Sequence, residues 1–211
     1  MSGARTGAAP TGGPLSGAIV AGGRSTRLGT DKRLVVAGGD GTPLLARTAD
    51  VLRGLVDDLQ VVVAREEDRD LAARLVAGAT VACDARPDVG PAAGLEVALT
   101  HARHDLVVVL ATDHPTLSAD VLTLLVTLAR TSDAGVVALE GPRGVEPFLA
   151  VYRRDTLARV GELLDAGERR MQAVVAALGV ELVAADRWRA LDPDGATLTD
   201  VDVPEDLDRL G

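Results

Sequence analysis

"GAIVAGGRSTRLGTDKRLV", residues 17–35, changes character partway along. Residues 17–21 are small or branched and apolar, the composition of a buried strand, and Gly22–Gly23 ends it. Arg24, Arg27, Lys32 and Arg33 then crowd four cations into a short loop of a chain whose formal net charge is −9. Paired glycines allow close approach of the backbone to an anion, with amides turned toward it. The spacing is not that of a P-loop: five residues, not four, separate Gly23 from Gly29, and Lys32 does not directly follow the second glycine. It is not G-x-G-x-x-G either.

Outward from this loop, strand and helix signals alternate. Residues 42–55, 66–77, 92–102, 117–130, 153–165 and 169–178 carry apolar residues at helical spacing, with Ser118 as an N-cap. Residues 59–64, 79–83, 105–112, 134–139, 146–152 and 180–185 read as strands, the fourth and fifth flanking the turn "GPRG", and 204–210 reads as a closing helix. Continuously apolar strands alternating with helices imply an α/β fold: a three-layer, doubly wound, mainly parallel sheet covered on both faces. Ligands of such sheets bind beyond the carboxyl ends of the strands. The loops after residues 21, 64, 83 and 112 are therefore expected to converge.

Composition bounds the function. The 211 residues fit one domain, expected over 17–211, and the Gly/Pro-rich stretch 1–16 reads as a disordered tail without the apolar region of a signal peptide. No apolar run approaches the roughly 18–20 residues of a membrane span. A single cysteine, Cys83, read as a core residue, fits a reducing cytoplasm. Aromatic content of 1% and the acidic balance disfavour general nucleic-acid binding. Lys32 is the only lysine beside 21 arginines. A compact ammonium there suits a phosphate that a planar guanidinium would not fit.

Three further segments carry chemistry. In "CDARPDVGPAAG" (83–94), Asp84 follows a strand, where it serves either as a turn residue or as an acceptor for a sugar or base. Gly90, Pro91 and Gly94 turn the chain into a helix whose N-terminus favours anions. In "LATDHP" (110–115), Asp113 ends the most apolar strand, a position suited to Mg²⁺, which takes carboxylates together with phosphate oxygens. His114 is expected to face solvent from this loop, and His101 and His104 to lie on a helix surface. In "LTDVDVPEDLDRL" (198–210), Asp200 and Asp202 alternate along an extended segment, either as helix caps or with one of them as a second metal ligand. No Ser–His–Asp or Cys–His set stands out, so no covalent protein intermediate is expected. Glycine backbone, Lys/Arg and paired carboxylates suit nucleotidyl transfer, in which positioning and charge neutralisation dominate.

"VAGGRSTRLGTDK", "VGPAAG", "TDHP", "AGERRMQAVV" (166–175) and "DVDVPEDL" (200–207), in that order, resemble the motifs of the MobA-like nucleotidyltransferases. The G-P-x-x-G and G-E-R-R stretches are most similar to the molybdenum cofactor guanylyltransferase branch. The resemblance implies transfer of GMP from GTP to the phosphate of molybdopterin, with release of pyrophosphate, in the cytoplasm. It implies that Val20, Ala21 and Gly22, with Gly23 and Gly94, hold the nucleotide, that Lys32 and Arg27 meet its phosphates, and that Asp84 meets the nucleoside. Asp113 would bind Mg²⁺, with Asp202, and Asp200 beside it, near metal and acceptor. Glu168, Arg169 and Arg170 would lie toward the pterin, and transient contacts with molybdenum-cofactor enzymes or chaperones are implied. Alternatives within the resemblance are a cytidylyltransferase, a guanylyltransferase of small phospho-acids, or a non-catalytic nucleotide-binding protein. The family often carries Asn after the second strand; this chain has none, and the segment reads "VVVAREE" with Arg65. Val203 stands for the family's Thr, and Asp for Asn at 200 and 202.

Overall fold

The computed structural model describes residues 13–22, 32–36, 41–86 and 89–199, with Lys32 described in its backbone alone. Gly23, Arg24, Arg27, Gly29, Asp200, Asp202 and the expected helix 204–210 lie outside the described residues.

Branched apolar runs become strands β1 (Ser16–Val20), β2 (Asp58–Val63), β3 (Thr80–Cys83), β4 (Leu106–Ala111), β5 (Val136–Gly141), β6 (Gly144–Arg153) and β7 (Val180–Val183). They form one sheet in the order β3-β2-β1-β4-β6-β5-β7. Strands β1, β2, β3 and β4 pair in parallel, as do β5 and β7. Strand β6 runs against both of its neighbours. The cause is local: Gly141–Gly144 is too short for a crossover, so it closes a hairpin, with Gly144 at φ +105°.

The helices are α1 (Leu44–Arg53), α2 (Arg69–Leu75), α3 (Pro91–His101), α4 (Ala119–Ala129), α5 (Leu157–Asp165), α6 (Met171–Leu178) and α7 (Ala185–Arg189). Alternation along the strands supplies two cores. Ile19, Val108 and Leu110 pack with Leu45, Leu52, Leu122 and Trp188 from α1, α4 and α7. Ala18, Val107 and Val109 face the other way, onto Leu95, Val160 and Val174 from α3, α5 and α6. The expected three layers result. Ser118 caps α4, its hydroxyl accepting from the Val121 N–H at 3.4 Å.

Three expectations need correction. Leu15, at the end of the stretch read as a tail, is buried with its N–H on Asp57 Oδ2 at 2.8 Å, and Ser16 already belongs to β1. Helix α7 was not anticipated: five residues carry too little pattern, and the element is anchored by the buried indole of Trp188, which donates to Glu140 O at 3.0 Å. His104 lies past the end of α3, its Nε2 3.3 Å from Asp58 Oδ1, rather than on a helix surface.

One close approach fixes α3 against the sheet. A Cβ added at Gly94 would lie 2.7 Å from Val20 Cγ1. Only glycine lets the first turns of this helix reach the end of β1. Gly94→Ala should therefore lower stability by about 1–3 kcal/mol, the usual cost of overpacking. Urea unfolding followed through the emission of Trp188 reads this loss, and an unchanged midpoint would contradict the packing described.

Candidate active site at the carboxyl edge of the sheet

Register brings the chemistry-bearing loops to one edge. Val20 pairs with Val62 and with Ala111, and Val63 pairs with Cys83. The chain therefore leaves β1, β2, β3 and β4 side by side, as expected. At Gly22 the fit against the second loop is close: a Cβ there would lie 3.2 Å from Ala64 Cβ and 3.3 Å from Ala64 N. The Ala21 N–H donates to Val62 O at 2.8 Å, and Thr112 Oγ1 donates to Val20 O at 3.3 Å. Those two backbone groups thus serve the sheet, and Gly22 is where the main chain turns out of it. Lys32 opens a 3-10 turn, Lys32–Leu34, on the far side of the cationic loop.

Asp84 follows β3. Its N–H donates to Val63 O at 2.8 Å, and its Oδ1 accepts the Arg86 N–H at 2.8 Å. Burial pushes its carboxyl up; the Arg86 amide and guanidinium pull it down, and the charge of Glu96 adds to the rise. Gly90, at φ +95°, turns the chain into Pro91 at the first position of α3.

Asp113 follows β4 and is half-buried, with His114 Nε2 3.6 Å from its Oδ1. His114 is buried, not solvent-facing. The residues after it are tied to a distant segment: Thr116 Oγ1 donates to Ala196 O, and the Ser118 N–H donates to Thr197 Oγ1 at 3.2 Å. The stretch carrying Asp200 and Asp202 begins just beyond that contact. Among the described residues no group of three or more His, Cys, Asp or Glu side chains gathers as a metal cage. Mg²⁺ commonly takes only one or two protein carboxylates and completes its shell with substrate oxygens and water, so a lone carboxylate is compatible with it.

The G-E-R-R turn reaches the same edge because β6 is reversed. That strand ends at the amino edge, so α5 runs back toward the carboxyl ends and delivers Asp165 and residues 166–170 there. Glu168 Oε1 accepts the N–H groups of Arg169 and Arg170, both at 2.9 Å, and its carboxylate pairs with the Arg170 guanidinium at 2.8 Å. Arg169 Nη1 donates to Leu164 O at 2.8 Å. The turn is locked by its own side chains, and Glu168 acts on Arg169 and Arg170 rather than outward. Arg86, passed over in the sequence, joins this turn to the loop of β3. Its position two residues after Asp84 was the available signal.

The opposite edge holds a cleft of about 320 Å³ lined by Arg53, Asp57, Asp58, Thr80 and Arg103. Its polar groups serve the fold: Arg53 donates to Ala77 O, Asp57 accepts from the Leu15 N–H, and Asp58 accepts from Ser16 Oγ.

The sequence profile of the MobA-like NTP transferase domain matches residues 17–182. The chain belongs to this family. A probable molybdenum cofactor guanylyltransferase from Chloroflexus aggregans is 35% identical over 92% of this chain and 91% of its own length. A second protein of that name, from Deinococcus radiodurans, is 38% identical over 81% of this chain and 83% of its own. The solved molybdopterin-guanine dinucleotide biosynthesis protein A of Archaeoglobus fulgidus superposes with a TM-score of 0.80 at 23% identity, covering 92% of this chain and 96% of that one, a likeness of fold. The MobA-like sheet thus supplies the edge on which Gly22, Asp84, Asp113 and the G-E-R-R turn meet.

Pairing with Arg170, aided by two backbone amides, lowers the carboxyl of Glu168 from 4.5 to about 2. A depressed carboxylate contributes fully above its unfolded value and loses that contribution as pH falls through the folded one. The turn should therefore stay locked at pH 5 and open only in strong acid. Carboxyl-carbon NMR should find Glu168 titrating near 2, and in Arg170→Gln moved up toward 4.5. Wild-type titration at the ordinary value would contradict the lock.

Proposed function

We propose that this nucleotidyltransferase moves GMP from GTP to the phosphate of molybdopterin, forming the guanine dinucleotide and pyrophosphate. The observation that carries the reading is the shared edge. Asp84, Asp113 and the G-E-R-R turn, three motifs far apart in sequence, lie at the carboxyl ends of one set of strands. The names of the relatives at 35% and 38% identity support the choice of substrates.

In this reading an oxygen of the acceptor phosphate attacks the α-phosphorus of GTP in line. The bond from the α-phosphorus to the bridging oxygen breaks, and the electron pair leaves with pyrophosphate. Lys32 and Arg27 offset charge on that leaving group. Gly22 and Gly23 let the main chain approach the phosphates, with Val20, Ala21 and Gly94 framing the pocket floor. Asp84 accepts hydrogen bonds from the nucleoside. Asp113, with Asp202 and Asp200 beyond it, would hold Mg²⁺, which when bound supplies charge neutralisation at the phosphates. Glu168 steadies Arg169 and Arg170 toward the phosphate and pterin of the acceptor. Arg65, in the segment where the family often carries Asn, pairs with Glu67 at 3.1 Å and stays about half exposed. A cytoplasmic place of action and passing contacts with molybdenum-cofactor enzymes or chaperones follow from the product.

Calorimetry with Mg²⁺ should show tighter binding of GTP than of CTP or ATP, and a CTP preference would overturn the choice of base. Lys32→Ala and Asp113→Ala should each cut pyrophosphate release with molybdopterin at least about 100-fold, a common loss for a charge-stabilising group. Near-normal turnover in either variant would refute its role.

A further inference from the structure

Arg86 engages its backbone N–H and all three guanidinium nitrogens at once. Its backbone N–H holds Asp84 Oδ1 at 2.8 Å. Its Nε and Nη2 form a fork on Glu96 of α3, at 2.8 Å to Oε2 and 3.0 Å to Oε1. Its Nη1 reaches Asp165, the last residue of α5, at 2.6 Å. The fork lies between the two helices, where Gly161 of α5 leaves room for it: a Cβ there would be 3.3 Å from Glu96 Oε1. Glu96 is 16% exposed and Asp165 71%, so one arm is sheltered and the other reaches the surface. A planar guanidinium satisfies both carboxylates simultaneously, which an ammonium cannot do in that geometry.

Apolar residues already hold the two helices together, Val160 and Leu164 of α5 lying in one core with Leu95 and Leu99 of α3. What the link does is join two functional segments. On one side stands the loop of Asp84, assigned to the nucleoside; on the other, directly after Asp165, the G-E-R-R turn assigned to the acceptor. We propose that Arg86 is a positioning residue that clamps the nucleotide-side loop to the acceptor-side turn, setting the distance across which the transfer takes place. The proposal rests on the functional reading above. Burial pushes the carboxyl of Asp84 up, and the positive charge of Arg86 offsets part of the further rise that Glu96 causes. In-line transfer is sensitive to such spacing, a misplacement of about 1 Å costing as much as about 100-fold.

Asp165→Ala is the decisive variant, because it removes only the exposed arm. It should leave the melting temperature and the calorimetric affinity for GTP unchanged within about twofold, while kcat/KM for molybdopterin falls about 10-fold. Asp165→Glu should recover most of that loss. Arg86→Gln breaks both arms. It should in addition speed amide hydrogen exchange across residues 166–170 at least about fivefold without any substrate present. Acceptor kcat/KM within twofold of wild type in Asp165→Ala, or a loss matched by equal weakening of GTP binding, would overturn the proposal. If wild type forms no dinucleotide from molybdopterin, the functional reading fails. The exchange measurement then decides the clamp alone: faster exchange at 166–170 upholds the link and unchanged exchange ends it.

Discussion

The parallel register of β1 between β2 and β4 is the constraint on which the rest depends. With Val20 set against both Val62 and Ala111, the exits of these strands cannot be separated without shifting the sheet. A slip of one residue would turn Ile19 out of one core and Ala18 out of the other, so the hydrophobic pattern holds the register in place. The contact of Gly94 with Val20 then brings the start of α3 to the same point. The reversed strand β6 adds the last part. Without that reversal, α5 would end at the opposite edge and the G-E-R-R turn would face away from Asp84 and Asp113.

Charge is spent economically in this acidic chain. Carboxylates near the carboxyl edge have assigned partners: Glu96 and Asp165 take Arg86, and Glu168 takes Arg170. Such pairing limits the repulsion that unpaired acids would exert on an incoming polyphosphate. In the proposed reaction Asp113 faces a metal. The arginines therefore have two kinds of work, some tying carboxylates together and others, with Lys32, facing phosphate in the proposed reaction. Composition alone does not separate them.

Much of the fold was legible in the sequence because its signals are local. Branched apolar runs gave the strands, and Ser118 and the Pro91 turn gave the helix starts. The convergence of four loops followed from a general property of parallel sheets. What escaped depended on contacts distant along the chain. His114 is buried in a loop that Thr116 and Ser118 tie to residues 196–197, some 80 positions away. Helix α7 exists because one indole finds a pocket against β5. The roles of Arg86 and Glu168 emerged only when their partners were seen: a motif marks Glu168 as functional, but does not say that it acts on the arginines next to it. Arg86 has no motif, and its importance lies in Asp165, 79 residues further on.

The most direct test of the account is a crystal structure with a non-hydrolysable GTP analogue and Mn²⁺, the ion located by its anomalous scattering. The ion should lie in contact with the carboxylate of Asp113, the polyphosphate across the loop between Gly22 and Lys32, and the nucleoside beside Asp84. An ion and triphosphate bound at the amino edge, in the cleft of Arg53 and Arg103, would contradict it.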